Sequence, residues 1–294
     1  MTALTALGRR TPASRGRRGL TFGDRPARFW FYGLLIAFLL GSAFPLYWSF
    51  LVASRDTSIL SEHVPPLLPG GNFFANASRV FDSVPFWKAL GNSLIVGAAV
   101  TLTTVLFSTL AGFAFARLRF RGRDGLFLFV VATLAVPTQL GIIPLYIAMS
   151  DLGWTGTLWA VMVPNLVTAI GVFWMRQYTA QVLPYELIEA ARVDGCSMIR
   201  VYWHVCLPAV RPAAAFLAMF TFMTSWNDFM WPLIVLSADN PTVQVALEKL
   251  QAGYYVDYSL VLAGTTLATI PILIILILLG RQIVAGIMHG AVKG

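Results

Sequence analysis

The stretch 89–116, ALGNSLIVGAAVTLTTVLFSTLAGFAFA, contains no Asp, Glu, Lys or Arg over its whole length. A helix rises about 1.5 Å per residue, so about 20 residues cross the roughly 30 Å of hydrocarbon in a bilayer. An uncharged run of this length therefore predicts a helix that spans a membrane with some tilt.

Five other stretches of the chain have the same character. Four of them are free of charged residues, and the other is interrupted only by Asp228. In chain order the six stretches are 29–54, 89–116, 125–150, 152–175, 212–238 and 258–280. The composition agrees with this pattern, because 57% of the residues are hydrophobic and 12% are charged, against roughly 45–50% and about 25% in soluble domains. These values exclude an ordinary soluble globule and predict an all-α membrane protein with six transmembrane helices.

Basic residues are distributed unevenly over the connections between these spans. Seventeen of the 21 Lys and Arg residues fall in the two tails and in the second and fourth connections, which lie on one side of the membrane. Because basic residues are retained on the cytoplasmic side, both termini are predicted to be cytoplasmic. The chain is then expected to divide into a basic tail over 1–28 that touches anionic lipid, a six-helix membrane domain over 29–280 and a tail over 281–294. The formal charge of +8 is explained by the topology and by contact with lipid headgroups, so no nucleic-acid partner is expected.

The fourth connection, 176–211, reads RQYTAQVLPYELIEAARVDGCSMIRVYWHVCLPAVR and is too patterned for a flexible linker. Pro184 suits the first position of a helix, and Asp194 with Gly195 supplies a turn that ends it. A second short helix is predicted from Ser197, a favourable N-cap residue, to about Pro208. The pattern thus predicts a cytoplasmic helical hairpin between the fourth and fifth spans. Periodicity alone leaves two interpretations open, a docking element for a partner or an amphipathic hairpin on lipid headgroups.

Residues of this connection match a known motif. Glu189-Ala190-Ala191, then Gly195, then Leu207-Pro208 follow the "EAA" loop pattern of the membrane subunits of ABC importers. The segment 226–233, with its Trp-Asn-Asp and Pro-Leu, and the ending 290–294 resemble the carbohydrate-type permeases, similar to the second membrane subunit of maltose-type systems. Cys196 departs from the family's usual alanine, a change between two small residues that leaves the turn possible.

The resemblance implies a function and a set of partners. It implies the transmembrane permease subunit of an ATP-driven importer, which translocates a carbohydrate or related polyol that a solute-binding protein delivers. The implied partners are a homologous second permease, two ATPase subunits, that binding protein and membrane lipid, in a multi-pass protein of the cytoplasmic (inner) membrane. The outer loop 239–257, with Gln244, Glu248, Lys249, Tyr254 and Tyr255, is a candidate contact for the binding protein, and a solvated connector is the alternative.

The same resemblance implies which residues receive the work of ATP hydrolysis. The sequence has no GxxxxGK[ST] phosphate loop, so the chain is not expected to bind ATP or to act as an enzyme, and no cofactor is expected. By resemblance the ATPase-coupling residues form one set: Glu189, Ala190, Ala191, Asp194, Gly195, Leu207 and Pro208. Glu189 is the candidate partner for a basic residue of the ATPase.

Asp228 is the only charged residue well inside a predicted span, where an Asp costs about 2.5–3.5 kcal/mol at the helix centre. It is therefore expected to face protein or water. With Trp226, Asn227 and Trp231 it forms a possible substrate path, because aromatic rings and polar side chains suit a sugar. Packing against the partner permease and a stabilised helix break are the alternatives for these residues.

A different class of transporter remains an alternative at this point. An ion-coupled secondary transporter carries its own substrate and ion sites within the membrane. A single intramembrane acid argues against proton coupling. His63, His204 and His289 are scattered and the two cysteines fit no ligand spacing, so no metal site is expected.

Overall fold

The computed structural model describes residues 29–58, 67–252 and 254–291, with the backbone alone for 279 and 281–291. The predicted tail over 1–28 and the end of the predicted tail over 281–294 lie outside the described residues. Within the described ranges the chain is helical and has no strand. The α-helices are α1 Phe29–Ala53, α2 Phe73–Ser83, α3 Phe86–Arg117, α4 Arg123–Ala132, α5 Ile142–Asp151, α6 Leu158–Met162, α7 Ala169–Val182, α8 Tyr185–Val193, α9 Met198–Val201, α10 Leu207–Trp226, α11 Met230–Val235, α12 Val243–Lys249 and α13 Tyr258–Ala291.

The chain divides into two compact units, Met1–Pro45 and Leu46–Gly294. The described part of the first unit is the beginning of α1, whose large apolar side chains are exposed, as Phe29, Phe38 and Leu39 show. Such a surface suits lipid rather than water. The second unit contains all the candidate functional residues.

Five helical stretches in the described residues are long and apolar enough to cross a membrane, and a sixth span exists if a bent pair is counted as one. The bent pair covers Arg123–Ala135 and Thr138–Asp151, which meet at 92°. Pro137 explains the bend, because proline has no backbone N–H and restricts the preceding residue to extended conformations. Val136 has φ −86° and ψ 117° accordingly. The stretch predicted as one span over 125–150 is therefore sharply bent in its middle, and it remains one span if the two helices of the pair are counted together.

The fifth predicted span has different bounds in the structure. The helix begins at Met198, passes through a π-helical turn at Tyr202–Cys206 and continues to Trp226. The second loop helix therefore does not end near Pro208 as predicted, and the hairpin consists of α8 and the beginning of a long helix. Pro208 has no N–H to donate, and the wider π turn before it accommodates that loss without ending the helix.

The end of that helix also differs from the prediction. The sequence suggested one span over 212–238, whereas α10 ends at Trp226 and the separate short helix α11 begins at Met230. Asp228 lies in the break between them. The alternative of a helix break at this point is therefore confirmed.

Helix α3 lies at the centre of the second unit and packs against α7 and α10, while α10 in turn packs against α13. Small residues permit these close approaches, as is usual between membrane helices. A Cβ atom at Gly112 of α3 would lie 2.7 Å from the Cβ of Met175 in α7. A Cβ at Gly97 would lie 2.8 Å from the ring of Phe222 in α10.

Asp257 joins three segments at the end of the bundle where α13 begins. Its Oδ1 accepts hydrogen bonds from the backbone N–H groups of Ser259 and Leu260 at 3.1 and 3.2 Å, which caps α13. The Thr57 hydroxyl also donates to Oδ1, and Arg79 Nη2 of α2 lies 2.6 Å from Oδ2. Partial burial acts to raise the pKa of Asp257, but the hydrogen bonds from Thr57 and Arg79 outweigh it, so the pKa is lowered below its ordinary value.

We expect this network to make stability depend on pH in the acid range. A carboxyl whose pKa is lowered by folding stabilises the fold above its unfolded pKa of about 3.9, and that contribution is lost as the pH falls through the lower folded value. Asp257→Asn should therefore lower the melting temperature at pH 7 and flatten its pH dependence below about pH 4. The measurement is thermal unfolding in detergent between pH 3 and pH 7.

The control is Asp82→Asn, which changes an exposed acid on α2. It should leave both the melting temperature and its pH dependence unchanged. Equal melting curves for Asp257→Asn and the wild type over the whole pH range would contradict the assignment.

Candidate coupling surface and substrate path

Helix α8 is attached to the membrane helices by its inner face. Ile188 of α8 is buried, and so is Leu183 just before the helix. Both belong to an apolar cluster that includes Met175 of α7, Val201 and Tyr202. Ala191 is partly buried against the same cluster. The inner face of α8 is thus fixed to α7 and to the long helix that begins at Met198.

The outer face of α8 is exposed in the described part of the chain. Glu189, Ala190 and Asp194 are exposed. Two apolar side chains that the motif does not include are exposed beside them, since Leu187 is 50% and Val193 88% accessible. Exposed apolar side chains grouped on one short helix are available for contact with another protein or with lipid.

The predicted turn after α8 is confirmed. Gly195 has φ 80°, in the left-handed region that favours glycine. The Cys196 N–H donates to the Ala191 carbonyl at 2.9 Å, and the Gly195 N–H donates to the Arg192 carbonyl at 3.0 Å, which closes the end of the helix. Ser197 then caps α9, as expected, because its Oγ accepts from the Arg200 N–H.

The remaining coupling candidates lie in other places. Leu207 is partly buried against the apolar cluster, and Pro208 is exposed in the first turn of α10. The structure therefore separates the seven residues into an exposed group on and after α8, an inward-facing Ala191 and a pair at the start of α10.

Arg117 links α3, α7 and the beginning of α8, a role that the sequence analysis did not identify. Its Nη2 donates to the Ala180 carbonyl at 2.7 Å, near the end of α7. Its guanidinium carbon lies 4.5 Å from the centre of the Tyr185 ring, a cation–π contact with the first residue of α8. In the sequence Arg117 was only one of many basic residues after a span, so no signal distinguished it.

The four residues of the predicted substrate path do not share one surface. Trp226 is buried at the end of α10, and its ring stacks on Phe222 with centroids 5.5 Å apart. Asn227 is exposed and donates to the Met223 carbonyl at 2.8 Å. Trp231 is buried elsewhere, in α11, where its Nε1 donates to the Ala160 carbonyl of α6 at 2.9 Å.

Trp226 and Asn227 line a cavity of about 390 Å³ at this end of the helices, and Asp228 and Trp231 do not. Phe229 completes the wall that follows α10. The other lining residues come from two facing helices and the turn after the first: Gln244, Leu247, Glu248, Gln251, Thr265, Ala268, Thr269 and Ile272. Gln244 and Glu248, which belong to the outer loop expected to contact the binding protein, line this cavity.

The fold and these two regions define a multi-pass membrane protein with a short, partly exposed helix, α8, at one end and a cavity with polar side chains at the other. Residues 105–288 match the model of one family, described as "Binding-protein-dependent transport system inner membrane component". The match covers more than half of the chain. The chain therefore belongs to this family, the membrane components of ABC importers.

Relatives of known designation agree with the family. The arabinooligosaccharides transport system permease protein AraQ of Halalkalibacterium halodurans is 34% identical over 274 residues, which covers 92% of this chain and 98% of that protein. The lactose transport system permease protein LacG of Rhizobium radiobacter is 34% identical over 260 residues, 88% of this chain and 93% of that protein. The sn-glycerol-3-phosphate transport system permease protein UgpE of Yersinia pestis is 30% identical over 264 residues, 87% of this chain and 94% of that protein.

A solved structure shares the fold. It is a bacterial ABC transporter involved in the import of the acidic polysaccharide alginate. One chain of that structure aligns with this chain with a TM-score of 0.73 and 22% sequence identity. The alignment covers 86% of this chain and 94% of that chain. Together these comparisons confirm an ABC importer permease subunit and decide against the ion-coupled alternative. Family membership implies an ATPase and a solute-binding protein as partners.

We expect Arg117→Lys to loosen α8 without unfolding the bundle. Lysine keeps the positive charge but lacks the planar guanidinium group. That group stacks on the Tyr185 ring and donates a hydrogen bond to the Ala180 carbonyl near the end of α7. The lost contacts are worth about 1–2 kcal/mol, so amide hydrogen exchange over 185–193 should accelerate about tenfold. Hydrogen exchange with mass spectrometry measures this directly.

Arg119→Lys is the matched control, because Arg119 is an exposed arginine two residues further along. It should leave exchange over 185–193 unchanged. Equal exchange rates in Arg117→Lys and the wild type would show that Arg117 does not hold α8.

Proposed function

We propose that this chain is the transmembrane permease subunit of an ABC importer that translocates a carbohydrate or related polyol delivered by a solute-binding protein. The observation that carries the proposal is α8, whose inner face is fixed by Ile188 while its outer face presents Glu189 and two apolar side chains. Two of the relatives described above are designated as transporters of sugars, and one of glycerol phosphate. A carbohydrate or related polyol agrees with these designations.

In the proposed mechanism α8 receives the movement of the ATPase. Glu189, Ala190, Asp194 and Gly195 enter a cleft of an ATPase subunit, and Glu189 pairs with a basic residue there. Leu187 and Val193 add apolar contact to the same surface. Closure of two ATPase subunits on ATP then moves α8 and rocks the membrane helices between inward-open and outward-open states, and hydrolysis resets them.

The movement passes from α8 into the membrane through residues at the start of the long helix. Ala191 packs inward against the apolar cluster, and Leu207 lies in the same cluster at the start of α10, next to Pro208. A second, homologous permease completes the complex in the cytoplasmic (inner) membrane. Both termini of this chain are cytoplasmic in this arrangement, and the basic tail 1–28 contacts anionic lipid.

The opposite end of the bundle meets the solute-binding protein. Tyr254 and Tyr255, in the outer loop 239–257, are 95% and 87% exposed and contact each other edge to face. Large exposed aromatic side chains are frequent anchors in protein interfaces. In the proposed substrate path, Trp226 and Asn227 line the route, while Asp228 and Trp231 stabilise the adjoining break and α11.

The test is to co-express the chain with its ATPase and binding protein and to compare the wild type with Glu189→Ala and Gly195→Pro. Proline cannot adopt the φ of 80° that Gly195 has, so the turn after α8 must change. We expect the ATPase to co-purify with the wild type, and ATP-driven uptake to fall about tenfold or more in both variants because a charged interface contact or the turn is lost.

Asp124→Ala is the control, since it removes an exposed acid outside α8 at the same end of the helices. It should leave uptake and association unchanged. Transport by this chain alone in proteoliposomes, without an ATPase, would overturn the proposed function.

A further inference from the structure

The cavity beside Trp226 has a wall of unusual chemistry for a membrane helix bundle. Gln244, Glu248 and Gln251 follow one another at helical spacing along α12 and the turn after it, so they share one face. Opposite them, Thr265 and Thr269 share a face of α13. Two amides, a carboxylate and two hydroxyls therefore surround one space of about 390 Å³, within the roughly 300–1,000 Å³ of small-molecule sites.

These polar groups are available to a ligand. In the described part of the chain, no group hydrogen-bonds the side chains of Gln244, Glu248 or Gln251. The Thr265 and Thr269 hydroxyls donate to carbonyls of their own helix at 2.9 and 2.8 Å, which leaves their oxygen lone pairs free to accept. The wall thus offers both donors and acceptors, as a polyhydroxylated molecule requires.

Aromatic side chains complete the wall. Trp226 is 1% exposed, so only a small part of its ring reaches the cavity, and its Nε1 is buried. Phe229 adds a second ring to the same wall, and aromatic rings pack against the apolar faces of sugars.

The charge of the wall selects among ligands. Glu248 is its single ionisable group, and no Lys, Arg or His lies among the residues that line the cavity. Lys249, next along α12, donates to the Ala238 carbonyl at 2.9 Å and is not part of the wall. A phosphate or carboxylate placed here would meet a carboxylate without a compensating cation, which is unfavourable in a partly buried site.

Close packing holds the two polar faces opposite each other. A Cβ at Gly264 of α13 would lie 2.6 Å from Leu247 Cδ2 of α12, so glycine permits the approach. The Val243 N–H at the start of α12 donates to Ser93 Oγ of α3 at 2.8 Å. Most of the cavity wall is therefore carried by packed helices, and the remainder by the turn after α12 and the break after α10.

From these observations we propose that the cavity bounded by α10, α12 and α13 is a binding site on this chain for a neutral sugar unit, and that it disfavours phosphorylated and acidic glycans. The inference rests on the proposed function and deepens it. It assigns part of the substrate selectivity to the permease itself, through Gln244, Glu248, Thr269 and Trp226.

The test uses the complete importer in proteoliposomes, loaded with ATP, and four probes: lactose, an arabinotriose, sn-glycerol 3-phosphate and an alginate trimer. We expect ATP-dependent uptake of a neutral probe and not of the two anionic ones. Thr269→Val and Gln244→Leu should each reduce uptake of that probe about five- to tenfold, as expected for the loss of one hydrogen bond in a buried site. ATPase activity stimulated by the unliganded binding protein should change less than about twofold, because α8 is untouched.

Thr266→Val is the matched control for Thr269→Val. Thr266 lies on the same helix and makes the same kind of bond, to the Leu262 carbonyl at 2.7 Å, but it does not line the cavity. It should transport as the wild type does.

Three results would overturn the inference, and they can be distinguished. If the wild type transports a neutral probe and the cavity variants match Thr266→Val, the cavity is not a sugar site although the proposed function stands. If the wild type prefers an anionic probe, the ligand class is wrong. If a neutral probe is taken up by this chain without ATP and without its ATPase, the proposed function fails and the inference fails with it.

Discussion

Helix α3 contacts both functional ends of the second unit, because small residues along it let its neighbours approach closely. Gly112 brings α7 within contact of its backbone, and such close helix packing is the main source of stability where the hydrophobic effect between helices is absent. At one end of α3, Arg117 holds α7 and the start of α8. At the other end, Ser93 holds the start of α12 and thereby one wall of the cavity. A shift of α3 would therefore disturb both regions together.

The long helix from Met198 to Trp226 provides a second connection between the same ends. It starts in the cluster that fixes α8 and finishes at the cavity wall. The π turn at Tyr202–Cys206 lies near its beginning, and Tyr202 in that turn contacts Thr109 of α3 at 2.7 Å between the hydroxyls. A π turn is a place where a helix can change its local winding. Movement of α8 in the proposed mechanism thus reaches the cavity through packed helices without a flexible linker.

How much the sequence could predict depended on the kind of signal. The long uncharged stretches predicted the membrane helices, because every helix that crosses a bilayer needs about 20 apolar residues. Gly195 predicted the turn after α8, because a helix often ends at a residue in the left-handed conformation and glycine adopts it readily. The predicted end of the loop helix near Pro208 was wrong, because the π turn before that proline lets the helix continue. Trp231 was grouped with Trp226 because the two residues are close in sequence. In the structure a helix break lies between them, and their side chains face different places. The cavity required three helices distant in sequence to meet, and local patterns carry no such information.

The central claim is that the outer face of α8 enters the ATPase, and cross-linking tests it most directly. Val193→Cys, in a chain with Cys196→Ala, places a thiol at an exposed position at the end of α8. Phe74→Cys in the same background places one on α2, at the opposite end of the helices, where Phe74 is also highly exposed. With a short bifunctional thiol reagent applied to the assembled importer in the presence of ATP, the account predicts an ATPase adduct at position 193 and none at position 74. An adduct at 74, or no ATPase adduct at 193 in an importer that still transports, would contradict it.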